Sequence, residues 1–382
     1  MRPQIAALPA SKIREVANAG IGRSDVLAFW FGESDEVTPE AVRDAAARSL
    51  AAGETFYAHN LGLGELRQAI AAYTSALHRP LGDDRIAVTS SGVNALMLAM
   101  QMLAGAGDEV AVVVPVWPNL PAQPAIMGAN VRRVPLVPRE GAWTLDLQRL
   151  HDAVTPATRV LLVNAPNNPT GWTLARDEQR AILEHCRRTG TWIVADEVYE
   201  RLWYADGKAA PSFLDVAEPE DRLVVAHSFS KSFLMTGWRL GWLVLPPGHL
   251  DAVGKLTEFN TSCAPVFVQR GALAALELGD GFVLPLVERL RRCRDRLVGG
   301  LASLPRVHTA MPRGGMYAFF QVEGETDSLA LAKRLVTQQG LGLAPGAAFG
   351  DEAEGWLRWC FASKDPGRLD QGLARLATAL DV

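Results

Sequence analysis

Six short apolar runs most constrain what this chain can become: "IAVT" (86–89), "VAVVVP" (110–115), "VLLVNAP" (160–166), "WIVADEV" (192–198), "LVVAHSF" (223–229) and "GWLVLP" (241–246). Their hydrophobicity is continuous rather than alternating, as in strands covered on both faces. Helix-like stretches such as "RDEQRAILEHCRRTG" (176–190) separate them. The pattern predicts an α/β domain with a mostly parallel sheet between helix layers.

Two stretches, Ile86–Gly107 and Val110–Val131, carry no charge and must be weighed as membrane spans. The first contains Ser90, Ser91, Gly92, Asn94 and Gln101, and the second contains four prolines with Asn119 and Gln123. Burial inside a soluble α/β domain is the better reading, and no membrane partner is expected.

Beyond about Gly281 the pattern changes. An Arg-rich helix pattern (284–304) is followed by strand candidates "GMYAFFQV", "GLGLAPG" and "WLRWCFA", with helix-like "DSLALAKRLVTQQG" between the first two. A second, smaller α+β domain is expected. The first forty-odd residues carry little periodicity. The expected division is 1–45 as an arm and part of the small domain, 46–280 as the large domain and 281–382 as the small C-terminal domain; a chain of 382 residues is long for one core.

A net charge of −4 offers no global attraction for nucleic acid or an anionic membrane. The four cysteines lie far apart with no CxxC spacing, which argues against a disulfide scaffold or a zinc cluster. No signal-peptide pattern is read at the N-terminus, so a cytoplasmic small-molecule protein is expected, with no metal.

Within "SFSKSFLMTGWRLGW" (228–242), Lys231 stands among aromatic residues. Burial and a neighbouring cation both lower a lysine pKa and make the amine nucleophilic. Phe229, Phe233, Leu234, Met235 and Trp238 are candidates for the apolar wall, and Arg239 for the positive field. The plain alternative is a snorkelling surface lysine.

In "TSSGVNALMLAM" (89–100) a predicted strand ends in Ser-Ser-Gly and a helix starts at once. Free backbone N–H groups and the helix dipole make such a junction an anion cup, although N-capping alone also explains it. Ser228 and Arg239 would complete a site for a phosphate dianion. Strand 192–196 delivers Asp196 and Glu197 at its C-terminal end, then Tyr199, where ligands of parallel sheets collect. An aspartate there suits a pyridine nitrogen, or else a helix cap. "NAPNNPTG" (164–171) reads as tight turns, with Asn167 and Asn168 as candidates to present a side-chain amide to a ring hydroxyl.

In chain order, "FGESD" (31–35), "YAHNLGLGELRQAIAAY" (57–73), "NAPNNPTG", "DEVYE", "SFSKSFLMTGWRLGW", "GGMYAFF", "PGAAFG" and "GWLRWCFA" resemble the fold-type I, class I/II aminotransferases that use pyridoxal 5′-phosphate. The resemblance implies that Lys231 forms the Schiff base and moves the α-proton. It implies that Ser228, Arg239 and backbone amides near Ser91, Gly92 and Val93 hold the phosphate, and that Asp196 pairs with the ring nitrogen. Asn168 and Tyr199 would bond the ring oxygen, Trp117 would stack on the ring, and Arg358 would grip the substrate α-carboxylate, with Gly32 and Asn168 beside it. Tyr57 matches a tyrosine that reaches the neighbouring subunit's phosphate, which implies a homodimer with shared sites.

The chain departs from the family pattern where Ser34 replaces the usual proline and "SSGV" the usual phosphate-cup residues. No second arginine for a dicarboxylate side chain is evident. His59 and His227 read as turn or packing residues. The resemblance implies transamination between an amino acid and a 2-oxo acid. A C–S β-lyase or related elimination enzyme is the alternative, and a regulatory module is disfavoured because the short N-terminal stretch is expected to leave no room for a helix-turn-helix domain. Phe29, Trp30, Phe31 and Trp117 are candidates for an apolar side-chain pocket or for packing of the N-terminal segment.

Overall fold

A computed structural model describes residues 1–139 and 141–381. The six apolar runs form six strands of a seven-stranded sheet, whose seventh, the charged edge strand Asn130–Pro135, is not among them: β1 (Ile86–Thr89), β2 (Glu109–Val114), β3 (Asn130–Pro135), β4 (Thr158–Asn164), β5 (Trp192–Asp196), β6 (Leu223–Ser228) and β7 (Gly241–Val244). Their spatial order is β1-β7-β6-β5-β4-β2-β3. All run parallel except β7, which is antiparallel to both neighbours.

Successive residues of the six apolar strands enter two different cores, which is why those runs are continuously apolar. Val110, Val112 and Val114 pack with the helix Gly92–Leu103 on one face, together with Val194 and Ala226. Ala111, Val113, Ala195 and Val225 face the other, with Leu66 and Ile70 of the helix Gly64–Leu77. Full burial of each such side chain stabilises by roughly 1.5–3 kcal/mol before chain entropy is set against it. The charge-free stretches are therefore sheet and core; among the described residues no helix is long and apolar enough to cross a membrane.

A second, antiparallel sheet has the order Val307–Thr309, Tyr317–Val322, Trp356–Cys360, Ala344–Pro345. The helices Ser328–Gln339 and Gly367–Ala379 pack with it and with one another. "GLGLAPG" is less regular than expected: it forms two strands of two residues, Leu341–Gly342 and Ala344–Pro345.

The N-terminal segment holds more structure than its weak periodicity suggests. A helix, Lys12–Ala19, is capped by Ser11, whose hydroxyl accepts from the Arg14 amide. Leu27–Ala28 pairs in parallel with Leu341–Gly342, which ties the segment to the smaller sheet. The Arg-rich helix is longer than 284–304, running Val266–Ala302 with a non-helical residue at Gly279 (φ 50°, ψ −137°).

Candidate active site

A cavity of about 400 Å³ lies at the carboxyl ends of β4, β5 and β6, closed on its far side by Tyr317 and Arg358 of the smaller sheet. Lys231 enters it from the loop after β6. Its Nζ donates to the Gly32 carbonyl at 2.6 Å and lies 5.5 Å from the centre of the Tyr199 ring. Burial pulls the amine down to about 8, and the Arg358 and Arg239 cations push the same way against Cys360 and Glu33. The loop is held from behind by Phe229, whose ring packs at a tilt against Phe233 (5.6 Å between centres) and Trp242 (4.9 Å). Trp238 instead reaches outward, donating to the Thr38 hydroxyl.

One end of the cavity gathers a helix N-terminus, two serines and an arginine, an arrangement suited to an anion. The helix Gly92–Leu103 starts there, with Gly92 and Val93 on the wall. Ser91 sits just behind: its hydroxyl accepts from the Asn94 amide as an N-cap, and its own φ is 139°. The close fit of strand and helix needs glycine, since a Cβ on Gly241 would lie 2.6 Å from the Gly92 nitrogen and the His227 carbonyl. Ser228, at the end of β6, accepts from the Ser230 amide at 3.1 Å, and Ser230 lines this end too. Arg239 has left-handed φ of 55°, with Nη1 bonded to the Thr236 carbonyl at 2.6 Å. Burial lowers its pKa, a cost that a bound anion would relieve.

Asp196 stands at the end of β5, 2% exposed. Burial raises its carboxyl to about 7, while a backbone hydrogen bond from Val198 and the Lys231 charge oppose this. Asn164, one strand away, donates to the Asp196 carbonyl and accepts from the Asn168 amide at 2.8 Å. Glu197 points away from the cavity, where it accepts from Ser212 Oγ and the Phe213 amide. Asn167 also turns inward, its side-chain oxygen accepting from both the Thr170 amide and hydroxyl.

At the other end, the Tyr199 and Tyr317 hydroxyls share a hydrogen bond of 2.7 Å. Arg358 donates through Nη1 to Asn168 Oδ1 at 2.9 Å and through Nη2 to the Trp30 carbonyl, with its guanidinium 4.4 Å from the Tyr317 ring centre. Its Nε has no partner among the described residues. A Cβ on Gly32 would collide with the Tyr317 hydroxyl. Trp117 lines the cavity, and its amide donates to the Asn168 carbonyl at 2.9 Å.

Of the four aromatic candidates for a side-chain pocket, only Phe31 and Trp117 line the cavity. Phe29 packs at a tilt against Trp359, 5.2 Å between ring centres, and Trp30 packs against Gly20 and Gly342, because these extended residues lie against the small-sheet core. Tyr57 is not on the cavity wall of this chain; it is 89% exposed. Sequence reasoning missed Ser230, Asn164, Tyr317, Arg14 and Glu33, all of which line the cavity. Ser230 and Tyr317 lie inside quoted motifs and were within reach; Arg14 had no signal beyond a helical charge. His59 accepts from the Leu61 amide in a turn, and His227 is buried against Trp242.

The profile of the family "Aminotransferase class I and II" matches residues 25–376. A probable aspartate/prephenate aminotransferase of Aquifex aeolicus is 32% identical, covering 100% of this chain and 97% of its own length. An aspartate aminotransferase of Thermotoga maritima is 33% identical over 99% of this chain and 97% of its own. The crystal structure of an aspartate aminotransferase from Thermotoga maritima superposes with a TM-score of 0.93 at 32% identity, covering 100% of both chains. N-succinyldiaminopimelate aminotransferase from Mycobacterium tuberculosis gives 0.92 at 27% identity, over 99% of each chain. The chain belongs to the class I and II aminotransferases, transaminases of fold type I that use pyridoxal 5′-phosphate to pass an amino group between an amino acid and a 2-oxo acid.

Proposed function

We propose that Lys231 is the amine that anchors the cofactor's aldehyde and the group that moves the substrate α-proton. The carrying observation is convergence: a buried amine of lowered pKa, a buried carboxyl, an anion cup and a partly unsatisfied arginine face one cavity. These chemistries fit the cofactor's aldehyde, ring nitrogen and phosphate. When bound, pyridoxal 5′-phosphate supplies an aldehyde that condenses reversibly with amines and a ring that withdraws electrons.

Ser228, Arg239 and the free N–H groups at Ser91, Gly92 and Val93 hold the phosphate, as a helix N-terminus favours an anion. Asp196 holds a proton on the ring nitrogen. Asn168 and Tyr199 bond the ring oxygen, and Trp117 offers a flat face. Arg358 takes the substrate carboxylate beside Asn168 and the Gly32 backbone. Lys231 Nζ, a few ångströms from Tyr199 and Gly32, would accept the proton from the substrate Cα and return it to the aldehyde carbon of the cofactor, C4′.

Aspartate, named in the relatives, is the first donor to test. The exposure of Tyr57, Phe56 and Phe259 supports a homodimer in which Tyr57 completes the partner's site. The division at 1–45, 46–280 and 281–382 is part of this reading, supported by the small-sheet pairing of the N-terminal segment and the break at Gly279. Four cysteines without disulfides suit a cytoplasmic location.

The test is a half-reaction: purified enzyme, one amino acid, no oxo acid. One equivalent of oxo acid per site, then arrest, is expected. Continuous release of ammonia and pyruvate from a cysteine conjugate would replace transamination with elimination.

A further inference from the structure

Because side chains alternate along a strand, the residues next to Asp196 and Ser228 project to the opposite face of the sheet. There Glu197 and His227 meet a set of groups that the chemistry above does not use. The Glu197 carboxylate accepts from Ser212 Oγ at 2.5 Å, and the Ser212 amide donates to Asp215 at 3.3 Å. Asp215 and Glu200 each lie 3.0 Å from one ring nitrogen of His78, the residue that ends the helix Gly64–Leu77. Glu200 in turn lies 3.6 Å from His227 Nδ1. The carboxylates of Glu197 and Glu200 and a nitrogen of His227 gather within 4.8 Å of one another.

Every link is buried: the side chains of His78, His227, Glu200 and Asp215 are 1%, 2%, 8% and 10% exposed. Burial alone would lower the His78 pKa, but its bonds to Asp215 and Glu200 outweigh that and raise it to about 10, so His78 is a cation between two anions. His227 stacks flat on Trp242, its register partner on β7, with ring centres 5.0 Å apart.

We propose that this buried chain, Glu197–Ser212–Asp215–His78–Glu200–His227, is a brace that fixes the spacing of Asp196 and Ser228. The proposal rests on the reading that these two residues hold opposite ends of the cofactor. The brace has one foot on the residue following Asp196 and the other on the residue preceding Ser228. Its middle is anchored on a separate helix, so the two strand ends cannot shift independently while it is intact. Its members are positioning residues and touch no substrate.

The experiment titrates pyridoxal 5′-phosphate into apoenzyme, following tryptophan fluorescence for Kd, with the apoenzyme Tm measured in parallel. Glu200→Gln keeps an acceptor but loses the charge; His227→Phe keeps the stack on Trp242 but loses the ring nitrogens. Val225→Ala, a cavity on the same face that removes no hydrogen bond or ion pair of the brace, controls for destabilisation alone. The expected result is a Kd at least tenfold weaker in the two brace variants, and a shift below threefold in Val225→Ala at a comparable loss of Tm. Should either brace variant fail to fold, Ser212→Ala removes a single link and is expected to weaken Kd in the same direction. Brace variants within threefold of the parent, or an equal shift in Val225→Ala, would overturn the proposal. Asp196→Ala and Ser228→Ala run alongside: if neither weakens Kd, the assignment of the cofactor's two ends fails, whatever the brace variants do.

Discussion

Arg358 and Asn168, 190 positions apart in sequence, share a hydrogen bond of 2.9 Å that joins the smaller sheet to the turn after β4. That bond and the one to the Trp30 carbonyl aim the guanidinium while leaving Nε and further N–H groups for a substrate. Lysine keeps the charge but has no planar fork. Arg358→Lys is expected to lower kcat/KM by roughly 10- to 100-fold, mostly through KM, since a lost charge-assisted pair is worth about 1.5–3 kcal/mol. An unchanged KM for every amino acid would remove Arg358 from the substrate site.

Lys231 supplies a pH test on the apoenzyme. Only the neutral amine attacks an aldehyde, and burial brings this amine down to about 8. Its neutral fraction rises about tenfold per pH unit below that value and levels off above it. Stopped-flow capture of pyridoxal 5′-phosphate should therefore accelerate from pH 6 to 8 and then flatten. A rate still climbing steeply to pH 10 would mean an ordinary exposed lysine. Lys231→Ala should fold normally, with no covalent capture and no turnover.

The buried Asp196 carboxyl makes the opposite prediction for stability. Its pKa is 3.8 when unperturbed and about 7 in the folded apoenzyme, raised chiefly by burial. Between those values the folded chain keeps a proton that the unfolded chain has released. The contribution of this group is thus full below about pH 4 and lost as pH rises through 7, by up to roughly 4 kcal/mol. Urea unfolding of apoenzyme should show roughly 2.7 kcal/mol of that contribution at pH 5 and almost none at pH 7.5, and Asp196→Asn should largely remove the difference. Bound cofactor, presenting a protonated ring nitrogen, should shrink it as well. A parent and an Asn variant with identical pH dependence would show that Asp196 does not titrate in this range.

The large sheet was legible because continuous burial forces continuous hydrophobicity, as in Val110–Val114, where alternate residues enter different cores. The cup at Gly92 and the Lys231 loop were legible because their chemistry is local in sequence. What lay beyond reach is what tertiary packing decides. Nothing local in "RLWYADGK" or "SALHRP" shows that Arg201 meets Asp280 or that His78 meets Glu200. The pairing of Leu27–Ala28 with Leu341–Gly342 is likewise set by sheet closure, and without it the periodicity of so short a strand is silent.

The aromatic run Phe29–Phe31 separates core from pocket, which yields the last prediction. A Cβ added at Gly20 or Gly342 would meet the Trp30 ring at 2.7 Å or closer, so the indole is wedged between two backbone segments rather than facing the cavity. Phe31, one residue on, is only partly buried and lines the cavity with Arg14 stacked 5.7 Å above its ring. Trp30→Ala removes a core side chain and is expected to cost about 3–5 kcal/mol of stability. The ratio of kcat/KM between aromatic and small amino donors should nevertheless stay within about twofold, because the lost ring never met the substrate. Phe31→Ala should do the reverse, costing less stability because the ring is only partly buried, yet shifting that ratio several-fold. Donor ratios that moved with Trp30 and not with Phe31 would place the side-chain pocket on the other side of this segment.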